Sequence, residues 1–110
     1  MDYSCEKAMK LTIPALRIAV SCSLSKGHKM NETDIANALG IAQAAVSKYL
    51  NGKYSKEVKR VVDAVKSEGF DQQIAKRVLE KAGIEEVSGL IERAATSKRL
   101  VNVALGKSVP

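Results

Sequence analysis

Residues 31 to 53, NETDIANALGIAQAAVSKYLNGK, constrain the fold more than any other stretch, because one glycine separates two short amphipathic patterns. Asn31 is an N-cap by residue type, and Asp34 stands three residues on, where a side chain can reach back to the cap's backbone N–H. A helix is therefore predicted from Glu32. Ile35 and Leu39 share a face at i, i+4 spacing, and Ala36 between them is small where a second helix has to cross closely. Gly40 ends this helix, since glycine enters the left-handed region without a Cβ penalty and lets the chain turn within about three residues.

The second helix is the more informative. At about 100° per residue, Gln43, Ala44, Ser47, Lys48 and Asn51 fall in one sector of roughly 140°, with Ala45, Val46, Tyr49 and Leu50 on the other side. One side packs and the other is free. The free side carries an amide able to hold adenine through two hydrogen bonds, a methyl, a hydroxyl and an ammonium, which are the group types that read base edges in a major groove. Asn51-Gly52 ends the helix. Lys53, Lys56, Lys59 and Arg60 follow, four cations in eight residues against the single acid Glu57. Charge runs are usually solvated faces, but this one lies where a chain leaving the groove meets phosphates, and phosphate contacts supply most of the affinity. Gln43, Ala44, Ser47 and Lys48 are thus the candidate base contacts, and Thr33, Asn51, Lys53, Lys56 and Arg60 the candidate phosphate contacts. Tyr54 has two readings, core packing or backbone contact.

The pattern of Ala36, Gly40 and Val46 with the run QAAVSKYLNGK resembles the repressor/Cro-like helix-turn-helix family of transcriptional regulators, in many of which a glutamine such as Gln43 opens the recognition helix. From Ile13 to Lys53, IPALR followed by a helix and then IANALGIAQAAVSKYLNGK resembles a group of small archaeal predicted transcriptional regulators, over nearly two-fifths of the chain. This resemblance implies an all-α fold containing a lambda-repressor-like helix-turn-helix. It also implies sequence-specific binding of double-stranded DNA with the second helix in the major groove. That group often carries a closely spaced cysteine pair near the C-terminus; here no cysteine follows Cys22, so no metal or redox role is carried over. Ala42 stands where Ser or Thr usually caps the recognition helix, which weakens the cap by ~1 kcal/mol.

A chain of 110 residues suffices for one compact domain. Hydrophobic residues make up 45% and aromatics only 4%, so the core has to be built from Val, Leu, Ile and Ala. The net charge of +6 divides as +2 up to residue 52 and +4 beyond it, an excess that suits a polyanionic partner. Cys5 and Cys22 are too few and too far apart for a zinc site or a disulfide framework and are expected to be small buried hydrophobes. With no signal peptide ahead of them and no lipidation motif, the expected compartment is the reducing cytoplasm. No apolar run approaches the ~20 residues that span a bilayer, so no membrane partner is expected. His28 has no carboxylate or cysteine partner in sequence and reads as a surface histidine. The chain carries no Gly-rich phosphate loop, histidine–carboxylate set or metal-spaced cluster, and neither enzymatic activity nor a cofactor is expected.

Outside the central stretch, Ser4 to Ser25 is helical in period, with Met9, Ile13, Leu16, Val20 and Leu24 on one stripe. Pro14 predicts two helical pieces with a stop near Thr12, and Arg17 lies on the solvent side of the second. Gly27 ends the segment and leaves Lys26, His28 and Lys29 in a polar loop. Lys56 to Glu68 reads as an amphipathic helix with Val58, Val61, Val62 and Val65 inward, stopped by Gly69. Asp71 is expected to cap the next helix, with Ile74, Val78, Leu79 and Ala82 inward and Gly83 at its end. From Glu85 to about Ala104 the stripe of Val87, Leu90, Ile91, Ala94, Val101 and Leu105 fits one long helix, or two with a break at Thr96-Ser97.

This divides the chain into a DNA-binding region, 1–69, and a C-terminal helical extension, 70–110. The extension holds more apolar stripe than one small domain needs and is expected to mediate a homodimer reading half-sites ~34 Å apart; alternatively the stripe closes the monomer core. The competing functional reading is a helical protein-interaction module, antitoxin-like or a partner of the transcription machinery, without specific DNA binding. A third, the DNA-targeting part of an enzyme such as a recombinase, needs a catalytic domain that this chain lacks. A small-molecule effector between helices is left open.

Overall fold

Between Leu11 and Ser25 the only charged residue is Arg17, and a helix so poor in charge has to be covered on most of its circumference. The computed structural model, which describes residues 3–106, places this stretch at the centre of the molecule. Helix α1, Tyr3–Cys22, buries Ala8, Thr12, Ala15, Leu16, Ile18, Ala19, Val20 and Ser21. One stripe was expected, and nearly the whole helix beyond Leu11 is enclosed. The break at Pro14 does not occur either, because α1 runs through it. Pro14 deprives the Lys10 carbonyl of its helical donor, a loss of ~3 kcal/mol. Full burial of Leu16, Ile18 and Val20, at about 1.5–3 kcal/mol each, outweighs that loss. Arg17, expected in solvent, is half-buried in a cleft beside Leu39 and Glu92.

A π-helical turn, Ser23–Gly27, extends α1 and buries Leu24. The Met30 N–H returns to the Leu24 carbonyl at 3.0 Å and redirects the chain. Six further helices follow: α2 Glu32–Leu39, α3 Gln43–Leu50, α4 Lys56–Glu68, α5 Phe70–Leu79, α6 Ile84–Ala95 and α7 Lys98–Ala104. No strand occurs among the described residues, so the chain is all-α. The buried side chains of every α-helix join one cluster of mainly Val, Leu, Ile and Ala around α1.

Helix α4 follows its sequence pattern, with Val61, Val62, Ala64 and Val65 buried. Its N-cap is Ser55, whose Oγ accepts from the Val58 N–H at 3.2 Å. Gly69, at φ +78°, ends α4 and also starts α5, so a single residue makes the corner between them. Asp71 is therefore not a cap. It is the second residue of α5 and only 5% exposed. The inward stripe of α5 is Asp71, Ile74, Ala75 and Val78, at i, i+3, i+4 and i+7. Leu79, expected inside, lies one helical step off this stripe and is 43% exposed. Gly83 does not end α5, which closes at Leu79 through Lys81 at φ +68°; Gly83 instead stands at the N-cap of α6.

The stripe beyond Glu85 divides into two helices. Ser97 caps α7, its Oγ accepting from the Leu100 N–H at 3.3 Å, and the Thr96 hydroxyl donates to the Arg93 carbonyl at 2.9 Å. The break leaves Lys98 exposed rather than inside the stripe. Helices α6 and α7 pack on α1, and α7 also on α4, burying Val87, Ile91, Ala95 and Leu100. Much of the apolar stripe therefore closes the core of a single chain. Between α5 and α6, Arg77 donates from Nε to Glu86 Oε2 at 2.7 Å and from Nη1 to Glu80 Oε1 at 2.8 Å. The hydrogen bond from Arg77, reinforced by its charge and that of Arg93, holds the Glu86 carboxyl below the ordinary glutamate range. The two carboxylates in turn raise the Arg77 pKa, chiefly through the Glu86 hydrogen bond and then that of Glu80. Among the described residues no helix is long and apolar enough to cross a membrane.

Candidate nucleic-acid interface

The expected boundaries of α2 are met residue by residue. Asn31 Oδ1 accepts from the Asp34 N–H at 2.8 Å, so Asp34 contributes its backbone to the cap. At the other end Gly40 takes φ +67°, ψ +36°, and the Gly40 and Ile41 N–H groups both return to the Ala36 carbonyl. Ile35, Ala36 and Leu39 are buried. Only Gly40, Ile41 and Ala42 separate α2 from α3.

Helix α3 begins at Gln43 behind an extended Ala42, which supplies no side-chain cap. Val46 is fully buried and Ala45, Tyr49 and Leu50 are half-buried, so this side holds α3 to the rest of the molecule. On the opposite side Gln43, Ala44 and Lys48 are exposed. Ser47 is half-buried. The Asn51 amide turns back along the helix, donating to the Ser47 carbonyl at 2.9 Å and approaching the Ser47 Oγ at 3.5 Å. Asn51 and Ser47 therefore form a local closing pair. The Gly52 N–H meets the Tyr49 carbonyl at 3.2 Å and the Lys53 N–H meets the Lys48 carbonyl at 2.9 Å, a Schellman closure made possible by Gly52 at φ +70°.

Thr33 is exposed in the first turn of α2, between the acids Glu32 and Asp34. That setting is less favourable to a phosphate than the sequence pattern alone implied. Lys53, Lys56, Lys59 and Arg60 are all exposed, while Tyr54 is half-buried against the core, the packing alternative of its two readings. Lys59 Nζ lies 3.3 Å from Asp63 Oδ2, an exposed i, i+4 pair that engages one charge of the run. Among the described residues Lys53, Lys56 and Arg60, on the turn and first helical residues after α3, have no ion-pair partner.

Cys22 is half-buried with a free thiol, not fully enclosed as expected; Cys5 lies outside the residues whose side chains are described. His28 is exposed. Among the described residues no group of three or more His, Cys, Asp or Glu side chains gathers as a metal site. The sequence reading missed two concave features. One is a groove of about 500 Å³ between α5 and α6, walled by Phe70, Ile74, Leu90 and Ala94 and edged by Lys76 and Arg93. The other is an open cavity beside the π-helical turn. An acid at an inward position of an otherwise apolar stripe, Asp71, was the available signal for the second. Comparison of the chain with protein-family models, curated proteins and solved structures finds no match.

Proposed function

We propose that this protein is a sequence-specific double-stranded DNA-binding transcriptional regulator, with α2 and α3 acting as a lambda-repressor-like helix-turn-helix. The observation that carries the reading is the two-sidedness of α3. Val46 anchors it from one side, while Gln43, Ala44 and Lys48 stand exposed on the other, on a helix joined to α2 by three residues. In this reading α3 enters the major groove. Gln43 offers two hydrogen bonds to an adenine, Ala44 a methyl contact, and Lys48 an ammonium for guanine acceptors. Ser47 reads through whatever its hydroxyl retains beyond Asn51. Lys53, Lys56 and Arg60 hold phosphates and set the register, with Thr33 and Asn51 in lesser roles. The function is cytoplasmic binding, not turnover.

A homodimer belongs to the same proposal, because α3 itself carries one formal charge, Lys48, and a second subunit doubles the phosphate contacts. The apolar surface available for it is the groove between α5 and α6, together with Leu79 and Ile84, at 43% and 50% exposure, at the end of α5 and the start of α6. The same groove favours a second reading, a protein-interaction module whose cationic edge receives an acidic amphipathic helix. Incubating the purified protein with fragmented genomic DNA and sequencing what it retains separates the two. A regulator enriches one motif, arranged as two half-sites ~34 Å apart. Retained fragments indistinguishable from the input contradict it.

A further inference from the structure

An open cavity of about 350 Å³ lies where the π-helical turn meets the corner between α4 and α5, lined by Cys22, Ser23, Lys26, Lys66, Asp71 and Gln72. Two of its polar atoms, Ser23 Oγ and Asp71 Oδ1, are shielded from solvent and have no hydrogen-bond partner. Asp71 as a whole is 5% exposed. An orphaned buried acceptor is costly, the more so when it belongs to a carboxylate. Its place in the first turn of α5 offsets part of that cost through the positive end of the helix. The other residues of its stripe are the apolar Ile74, Ala75 and Val78. Among the described residues the cavity wall is also the one place where the helical hydrogen-bond pattern widens to a π-turn, a deviation that recurs at functional sites.

The lining carries charges of both signs. An enclosed carboxylate lies in its wall, and two exposed lysines, Lys26 and Lys66, stand at its opening. A simple anion is repelled by Asp71 and a simple cation by the lysines. A small zwitterion satisfies both, and the volume lies within the range of small-molecule sites, ~300–1,000 Å³. We propose that this cavity binds a free α-amino acid, its ammonium donating to Asp71 and its carboxylate held by Lys26 and Lys66. The ligand side chain then lies against Cys22 and Gln72. A residue within a peptide lacks both charged ends and is not the ligand. The turn Ser23–Gly27 leads directly to the Asn31 cap of α2, so occupancy bears on the placement of α2 and α3. That consequence rests on the DNA-binding reading; the binding site does not.

Isothermal titration calorimetry of the full chain against the standard α-amino acids, without DNA, tests the site. Saturable one-to-one binding of a free amino acid is expected, and the N-acetyl and methyl-ester derivatives of that amino acid should each bind about tenfold or more weakly. Asp71→Asn and, independently, Lys66→Met should weaken the parent ligand by a similar factor. Lys66 is exposed, so its variant folds whether or not the buried Asp71 substitution does. Absence of saturable heat from every amino acid overturns the proposal. So does undiminished binding of the N-acetyl derivative, or undiminished binding by the folded variants.

Discussion

Gly40→Ala probes the joint on which the α2–α3 arrangement depends, and its cost has two separable parts. The first is conformational. Gly40 has φ +67°, where an L-residue is disfavoured by ~1–2 kcal/mol. The second is a contact, because a Cβ added at Gly40 would lie 3.0 Å from Ile84 Cγ2, closer than such atoms comfortably approach. Ile84 is half exposed and can rotate away, and an off-rotamer side chain costs about 0.5–1.5 kcal/mol. Gly40→Ala should therefore destabilise the protein by ~2–3 kcal/mol. Gly52→Ala isolates the first part, since Gly52 has φ +70° and nothing within 4 Å of an added Cβ. It should cost only ~1–2 kcal/mol. Urea denaturation followed by far-ultraviolet circular dichroism measures both, and Ile84→Ala completes a double-mutant cycle with Gly40→Ala. The cycle should return a coupling of about 0.5–1.5 kcal/mol, with the alanine at position 84 relieving the contact. Equal costs at the two glycines, or a coupling below ~0.3 kcal/mol, would refute the close approach of Ile84 to Gly40.

At the DNA interface, Gln43→Ala should relax base preference with little change in the salt dependence of binding. Lys53→Ala should weaken binding to all duplexes and reduce the slope of log K against log salt by ~0.9, both read by fluorescence anisotropy across a salt series. Lys81 occupies a left-handed position at φ +68°, so Lys81→Gly should stabilise the fold by ~1 kcal/mol in a urea titration. Glu86 is held below its ordinary pKa by Arg77, so its contribution is fully present above the unfolded glutamate range and is lost as pH falls through the lowered folded value. Glu86→Gln should therefore lower stability at neutral pH and flatten its decline in acid, as seen in urea midpoints measured from pH 7 downward.

What could be read from the sequence was local. Asn31, Gly40, Gly52 and Gly69 act through backbone chemistry that depends on near neighbours, and the helix ends they govern fall where their residue types place them. The valine stripe of α4 was legible for the same reason, since its period is internal to the helix. Pro14 misled because a local breaking tendency of a few kcal/mol met the burial of a central helix, a property of the whole molecule. Asp71 misled more instructively. An acid after glycine looks like a cap, and only the packing of α5 shows that Gly69 starts the helix and turns Asp71 inward. The core draws on helices from both sides of residue 69, with α1 packed on α4, α6 and α7, a property that no single segment's period carries. At the proposed interface, residue types and helical phase marked Gln43, Ala44 and Lys48 as exposed. Side-chain bonds that commit Asn51 to Ser47 and Lys59 to Asp63 depend on rotamers, which periodicity does not carry.

The central claim, that the free side of α3 reads DNA sequence, is tested most directly by the ratio of affinities for a duplex recovered from the genomic selection and for the same duplex with its bases shuffled, both at one physiological salt concentration. The account predicts a ratio of about 10³ or more for the native chain, and a marked fall in that ratio for Gln43→Ala as the bidentate contact is lost. Equal affinity for the two duplexes, or a ratio unmoved by Gln43→Ala, Ala44→Asp and Lys48→Ala alike, would contradict it.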